Sequence, residues 1–222
     1  MNHLNIVFIA PPAAGKGTQA EMLSSKYNIP HISTGDILRN ASQDGTERGK
    51  MIASELALGN FISDDIILEL LKERLQREDC NNGYILDGFP RNIEQAKQYE
   101  EILKDLNKEL GYIIYLDIDK EVAKKRIVGR VSCSSCGSVY NELVEETKPK
   151  KQGFCDKCNS SLIKRTDDNA STFENRFEAY LEKTQPLIDY YSSKNVLYRI
   201  DCGLSKENTF EQIENIIRGN IW

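Results

Sequence analysis

Residues 6–18 read IVFIAPPAAGKGT, and their order decides the fold. An apolar run turns at Pro11 and Pro12, passes through Ala13, Ala14, Gly15, Lys16, Gly17 and Thr18, and enters a stretch with helical patterning. The run is apolar without alternation, as a parallel strand covered on both faces must be. A strand that enters a helix through a GKGT turn is the context of a phosphate-binding loop. Backbone N–H groups around residues 13–18, with the helix dipole behind them, form a nest for a phosphate chain. Gly15 and Gly17 let the backbone approach, Lys16 neutralises phosphate charge, and Thr18 can face a Mg²⁺ ion. Ala10 and Ala13 stand where such loops usually carry glycine. A methyl group at a position needing φ > 0 is costly, so either these positions take right-handed or extended geometry, or the loop is slightly reshaped.

Working outward, four more apolar runs read as strands: 31–33 (HIS), 84–87 (YILD), 112–117 (YIIYLD) and 196–201 (VLYRID). Helical patterns lie between them over 16–27, 64–78, 92–106, 120–128, 171–191 and 206–218. In 64–78, Ile67, Leu68, Leu71 and Leu75 share a face, with Ser63 or Asp64 as N-cap. In 171–191, Phe173, Phe177, Tyr180, Leu181 and Leu187 point inward, with a bend at Pro186. Strand alternating with helix predicts an α/β fold, a doubly wound parallel sheet of five strands. Two segments break the alternation. Residues 34–62 are helical but weakly apolar, and 129–168 are polar and carry four cysteines. The predicted organisation is a core of 1–33, 63–128 and 169–222, with 34–62 and 129–168 as inserted segments.

The 222 residues are 40% hydrophobic and 28% charged, which is ordinary for a globular chain. The longest apolar run, 6–14, is broken by two prolines and falls far short of the roughly 20 residues that span a membrane. No Lys or Arg precedes it, so an export signal is not expected. A formal net charge of −5 disfavours a general nucleic-acid binder. With only His3 and His31, a histidine-rich metal site or a Ser-His-Asp triad has little to draw on. His31 reads as a core histidine and not a general base.

Three further strings carry a resemblance: Ser33-Thr-Gly-Asp-Ile-Leu-Arg39, Asp87-Gly-Phe-Pro-Arg91, and Asp167-Asp168 followed by Arg176. Together with GKGTQA they resemble the adenylate kinases, over about residues 5–218, in the long form whose lid carries an insert like 129–168. The resemblance implies a P-loop core, an AMP-binding helical segment (34–62) and a lid that closes over ATP, with Mg·ATP and AMP converted reversibly to two ADP. The residues suit that chemistry. Phosphoryl transfer needs an in-line pose, neutralised charge and excluded water. Asp87, ending a buried strand beside the phosphate loop, can hold Mg²⁺ through water. Lys16, Arg39, Arg91, Arg130, Arg165 and Arg176 supply six cations, and the arginine fork grips phosphate oxygens two at a time.

By resemblance, Arg39 and Arg91 hold the AMP phosphate, and Arg130, Arg165 and Arg176 surround the transferred group. Thr34 and Gln95 recognise the AMP base, and Gly35, Gly88, Phe89, Pro90, Asn60, Phe61 and Ile62 line that pocket. Arg126 lies against the ATP adenine, and Val139 and Tyr140 contact ATP from the lid. Where such lids often carry a second arginine this chain has Val131, which takes no role. A GTP:AMP kinase, or a UMP or CMP kinase, would use the same loop. A catalytically silent nucleotide sensor is a reading of another class, and the arginine set speaks against it.

Cys133-x₂-Cys136 and Cys155-x₂-Cys158 are separated by 18 residues, the spacing of two zinc-ribbon knuckles. Four thiolates close a tetrahedral shell, so a zinc ion there is structural, a strut for a polar insert without a core of its own. Two disulfides, free thiols and a nucleic-acid-binding ribbon are the alternatives. Cys80 and Cys202 have no such partners and are expected to be buried. The expected ligands are ATP, AMP and ADP, for a cytoplasmic monomer with no nucleic-acid or membrane partner.

Overall fold

A computed structural model of the chain describes residues 3–58, 62–164 and 168–219. The predicted loop is flanked by β1 (Leu4–Ile9) and α1 (Lys16–Tyr27). Then come β2 (His31–Ser33), α2 (Thr34–Ala41), α3 (Glu47–Leu58), α4 (Asp64–Leu75), β3 (Gly83–Asp87) and α5 (Ile93–Asp105). β4 (Tyr112–Asp117) and α6 (Lys120–Val128) lead to a small unit of β5 (Arg130–Cys133), β6 (Val139–Asn141) and β7 (Leu162–Ile163). The chain closes with α7 (Ala170–Ala179), α8 (Pro186–Ser192), β8 (Leu197–Asp201) and α9 (Lys206–Ile217).

The five predicted strands form one parallel sheet in the order β2-β3-β1-β4-β8. β1 is central, and Phe8 pairs in register with Asp87. This brings the phosphate loop and the DGFPR loop side by side at the carboxyl ends of their strands, where ligands of open α/β sheets bind. Side chains alternate across the sheet into two cores. Val7, Ile9, Tyr84, Leu86, Ile113 and Tyr115 pack on one face with α4, α5 and α8. Ile6, Phe8, Ile85, Ile114 and Leu116 pack on the other with α1, α6, α7 and α9.

The C-terminal helical run departs from expectation. In place of one helix bent at Pro186, α7 passes into a π-helical turn, Tyr180–Thr184, before α8. Gln185 N donates to the carbonyl of Tyr180, five residues back, at 2.9 Å. Pro186, which has no N–H to give, opens α8 at its first position. The extra residue in the turn advances the phase by about 100°. Phe173 and Phe177 lie in the second core, whereas Tyr180, Leu187 and Tyr191 lie in the first. The run therefore passes from one face of the sheet to the other at the π turn. Leu181, expected inward, is 46% exposed because it sits within that turn.

Smaller differences also have local causes. α4 stops at Leu75, ahead of the predicted residue 78, and a 3₁₀ turn, Glu78–Cys80, follows. Ser63 occupies its N-cap without a capping hydrogen bond from its side chain. The segment 129–168 forms a separate antiparallel sheet in the order β6-β5-β7. Cys80 and Cys202 are buried in the two cores, as expected.

Candidate active site

The phosphate loop keeps its left-handed turns despite its alanines. Ala13 has φ 64° and Gly15 has φ 94°, so the methyl group at position 13 sits in the αL region instead of escaping it. Right-handed or extended geometry, one of the two expected accommodations, does not occur at Ala13. The αL geometry costs an alanine about 1–2 kcal/mol, held in place by the strand and helix on either side. Ala10, by contrast, is not among the residues with positive φ. Gly15 is the N-cap of α1 and contributes no side-chain acceptor. The first-turn N–H groups of α1 thus face the loop with no side chain capping them, as an anion-binding helix start requires.

Around this loop the charges converge. Burial lowers the pKa of the Lys16 ammonium, Asp87 opposes that shift, and Arg91 and Arg176 add to it. Burial pushes the Asp87 carboxyl up, but His31, Lys16 and Arg91 outweigh it and hold it below the usual carboxylate range. Asp87 is thus an ionised oxygen donor beside the phosphate loop, a fit for a hard divalent cation. His31 is not a core residue. It is half-buried on the edge strand β2, with Nε2 3.5 Å from Asp87 Oδ2. Its side chain keeps 22% exposure at the sheet edge, which strand patterning alone does not distinguish from a fully covered position.

Four of the residues named from sequence for the AMP side, Thr34, Gly88, Arg91 and Gln95, meet one another. Thr34 Oγ1 donates to the Gly88 carbonyl at 3.3 Å, and Arg91 Nε donates to the same oxygen at 2.7 Å. A Cβ added to Gly88 would crowd Thr34 Oγ1 at 3.1 Å, and its φ of 81° favours glycine. Arg91 N donates to Gln95 Oε1 at 2.7 Å, and Gln95 Nε2 donates to Asp64 Oδ1 at 2.8 Å. Arg39 lies apart from this group, 63% exposed and paired with Asp36 at 2.5 Å. Gly35 sits under the Arg39 guanidinium. The ring of Phe89 belongs to the first core, edge-on to Tyr99, which leaves its backbone to face a ligand. Pro90 is buried next to it, and Ile62 packs against Ala41, Ile52 and Leu70. Asn60, Phe61, Arg165 and Asp167 lie outside the described residues.

On the opposite side, Arg130 makes a two-pronged ion pair with Asp168, Nε to Oδ2 at 2.7 Å and Nη2 to Oδ1 at 2.5 Å. The Asp168 side chain is fully buried, so this pair ties the first strand of the small sheet to the start of α7. Arg126 Nη2 donates to the Leu204 carbonyl at 3.0 Å. Val139 is exposed on β6. The Tyr140 hydroxyl lies 3.4 Å from Cys155 Sγ and accepts from Asp156 N.

The four predicted cysteines come together. Their sulfurs all lie within 4.8 Å of one another, with Cys133–Cys158 at 3.4 Å and both Cys136–Cys155 and Cys136–Cys158 at 3.5 Å. A tetrahedral thiolate site with metal–sulfur bonds near 2.3 Å places its sulfurs about 3.8 Å apart. The set fits a metal ion, and these separations are too long for disulfides. Backbone N–H groups of Ser135, Cys136 and Lys157 point at the sulfurs of Cys133 and Cys155, an arrangement that favours thiolates. The Tyr140 hydroxyl holds the Cys155 thiol well below its ordinary range.

Sequence reasoning missed three residues at this site. Asp64 reads as a helix cap and His31 as core, while Thr184 carries no motif. Its hydroxyl donates to the Arg91 carbonyl at 3.0 Å. The one signal pointing to Thr184 is the Pro186 that follows it.

A family model described as "Adenylate kinase" matches residues 8–196. Among curated proteins, the adenylate kinase of Thermosipho africanus is 43% identical over 215 residues, 97% of this chain and 100% of the relative. That of Archaeoglobus fulgidus is 44% identical over 214 residues, 96% of this chain and 98% of the relative. That of Clostridium tetani is 41% identical over 214 residues, with the same two coverages.

Proposed function

This chain belongs to the adenylate kinase family, and on that premise we propose how its residues divide the work. It catalyses reversible phosphoryl transfer from Mg·ATP to AMP, giving two ADP. ATP, AMP and ADP are its substrates and products. The observation that carries the assignment of roles is the convergence of Lys16, Asp87, Arg91 and Arg176 beside the phosphate loop.

The donor's phosphate chain lies in the turn from Ala13 to Thr18, with Lys16 on its outer phosphates. Mg²⁺, arriving with ATP, would supply charge neutralisation on the phosphate chain, and Asp87 would hold it through water. The acceptor's phosphate is gripped by Arg91, with Arg39 swinging from Asp36 to join it. Its base meets Thr34 and Gln95, within a pocket lined by Gly35, Asn60, Phe61, Ile62, Gly88, Phe89 and Pro90. Arg130, Arg165 and Arg176 stabilise charge on the γ-phosphoryl as it passes in line between the two oxygens. Arg126, Val139 and Tyr140 hold the donor nucleoside.

Residues 34–62 and 129–168 are the two moving parts, closing over acceptor and donor to exclude water. The cysteine cluster holds zinc, whose closed thiolate shell supplies a cross-link and no chemistry. We also infer a cytoplasmic monomer, as suits freely diffusing nucleotides. No helix among the described residues is long and apolar enough to cross a membrane.

The test is turnover across a panel of donors (ATP, GTP) and acceptors (AMP, GMP, UMP, CMP), with metal content measured on the same sample. The account expects ATP with AMP to dominate by more than about tenfold in kcat/KM. Equal turnover of several acceptors would remove Thr34 and Gln95 from base recognition.

A further inference from the structure

Gln95 sits in the first turn of α5 and is only 5% exposed. Both ends of its side-chain amide are engaged. Oε1 accepts from the Arg91 backbone N–H at 2.7 Å, and Nε2 donates to Asp64 Oδ1 at 2.8 Å. Its own backbone N–H is taken by Asn92 Oδ1 at 2.8 Å, which fixes the turn carrying it.

The two partners are chemically one-way. A backbone N–H only donates, and a carboxylate only accepts. Turning the amide over would set N–H against N–H and oxygen against oxygen in a buried place, where unpaired polar groups are costly. The orientation of this amide is therefore dictated by its neighbours. A primary amide has two N–H donors and two oxygen lone pairs. After Arg91 and Asp64 are served, one donor and one acceptor are left for a ligand.

That remaining pair distinguishes purines only if the amide cannot turn over. A 6-aminopurine presents an acceptor at N1 beside a donor at N6. A 6-oxopurine presents the reverse, a donor at N1 beside an acceptor at O6. A freely rotating glutamine pairs with either by turning over, so it has no preference. A glutamine held by an acceptor-only partner on its nitrogen keeps its oxygen for the N6 amino group.

We propose that Asp64 is a positioning residue for specificity: by accepting from Gln95 Nε2 it completes, with the Arg91 N–H on Oε1, a two-sided lock that holds the amide in the orientation that pairs with a 6-aminopurine monophosphate and mismatches a 6-oxopurine. This rests on the reading above that Gln95 meets the acceptor's base. The competing role for Asp64 is that of a first-turn acid on α4, which would act on helix stability alone.

The test compares AMP with inosine monophosphate, which differs only at the 6-position and the N1 proton, as acceptors with Mg·ATP as donor. In Asp64→Asn the new side chain can offer either an oxygen or an N–H to Gln95, so the hydrogen bond survives, the Asp64 half of the lock is lost, and only the Arg91 N–H still opposes turning the amide over. The ratio of kcat/KM for AMP over inosine monophosphate is expected to fall at least about fivefold, the remainder being held by the Arg91 N–H. Asp64→Glu, which restores an acceptor-only partner, is expected to return most of the ratio. A helix-stability role would lower the melting temperature and leave the ratio alone. Gln95→Ala is the companion variant, expected to collapse the ratio. If it does and Asp64→Asn keeps the wild-type ratio within about twofold, the locking role is overturned while Gln95 keeps its place at the base. If Gln95→Ala also leaves the ratio unchanged, the placement of Gln95 at the base falls, and the proposal with it.

Discussion

The Thr184 hydroxyl donates to the backbone carbonyl of Arg91 at 3.0 Å, joining the C-terminal helical run to the loop that follows β3. Thr184 is the last residue of the π turn at which that run changes faces of the sheet. The Arg91 backbone is thereby held on both sides, by Gln95 Oε1 at its N–H and by Thr184 at its carbonyl. Arg176, earlier on the same run, is close enough to Arg91 for their charges to repel. One stretch of chain thus supplies a cation within charge range of Lys16 and Arg91 and a support for the Arg91 backbone.

Thr184→Val removes that support while keeping the volume. A lost neutral hydrogen bond is worth about 1 kcal/mol, or roughly fivefold. The KM for AMP is expected to rise by about that factor, with the KM for ATP unchanged and Thr184→Ser close to wild type. Steady-state kinetics with each nucleotide varied in turn checks this, and an AMP KM unmoved in Thr184→Val would count against it.

Asp87 gives a pH prediction with a definite sign. Its carboxyl is held below the usual range by His31, Lys16 and Arg91 against the upward push of burial. A depressed folded-state value contributes stability that is present above the unfolded value, about 3.9, and is lost as pH falls through the folded one. The difference in unfolding free energy between wild type and Asp87→Asn is expected to shrink as pH falls below about pH 4. Urea unfolding across that range measures it, and a gap that widens in acid would contradict the sign.

Ala13 and Ala14 are adjacent alanines with opposite expectations. Ala13 has φ 64°, whereas Ala14 is not among the positive-φ residues and is 3% exposed. Ala13→Gly removes the methyl from a left-handed position and is expected to stabilise by about 0.5–1 kcal/mol after the entropy cost of glycine. Ala14→Gly loses a buried methyl and gains chain entropy in the unfolded state, and is expected to destabilise by about 1–2 kcal/mol. Chemical denaturation of both variants decides it, and the same sign for both would contradict the account.

The cysteine cluster predicts about one zinc per chain, bound by four thiolates. Chelation, or Cys136→Ser, is expected to expose titratable thiols and to lower the melting temperature by several degrees, since metal binding and ordering of the segment are linked. Metal analysis with thiol titration measures this. Less than about half a zinc per chain, with four reactive thiols as purified, would contradict a zinc-held lid.

Much of the fold was legible because local signals and the global arrangement agree. The five parallel strands announce themselves as continuous apolar runs, since both faces are covered. The cysteine pairs declare their meeting by spacing alone. What was not legible depends on tertiary placement. Leu181 fits an inward helical pattern until the π turn shifts the phase. His31 looks like core on a strand whose edge position only the sheet order reveals. Asp64 and Thr184 act through hydrogen bonds to residues 31 and 93 positions away, which no periodicity encodes. The left-handed angle at Ala13 could be suspected from its place in the loop but not read from the residue type.

On the division of roles proposed above, the phosphate loop and Lys16 carry phosphoryl transfer between ATP and AMP. The direct measurement is the rate of ADP formation from Mg·ATP and AMP, for wild type and for a Lys16→Ala variant with an unchanged circular dichroism spectrum. Robust ADP formation by wild type and a loss of at least about a hundredfold in the variant are expected. A folded Lys16→Ala protein that keeps more than about a tenth of wild-type activity would contradict it.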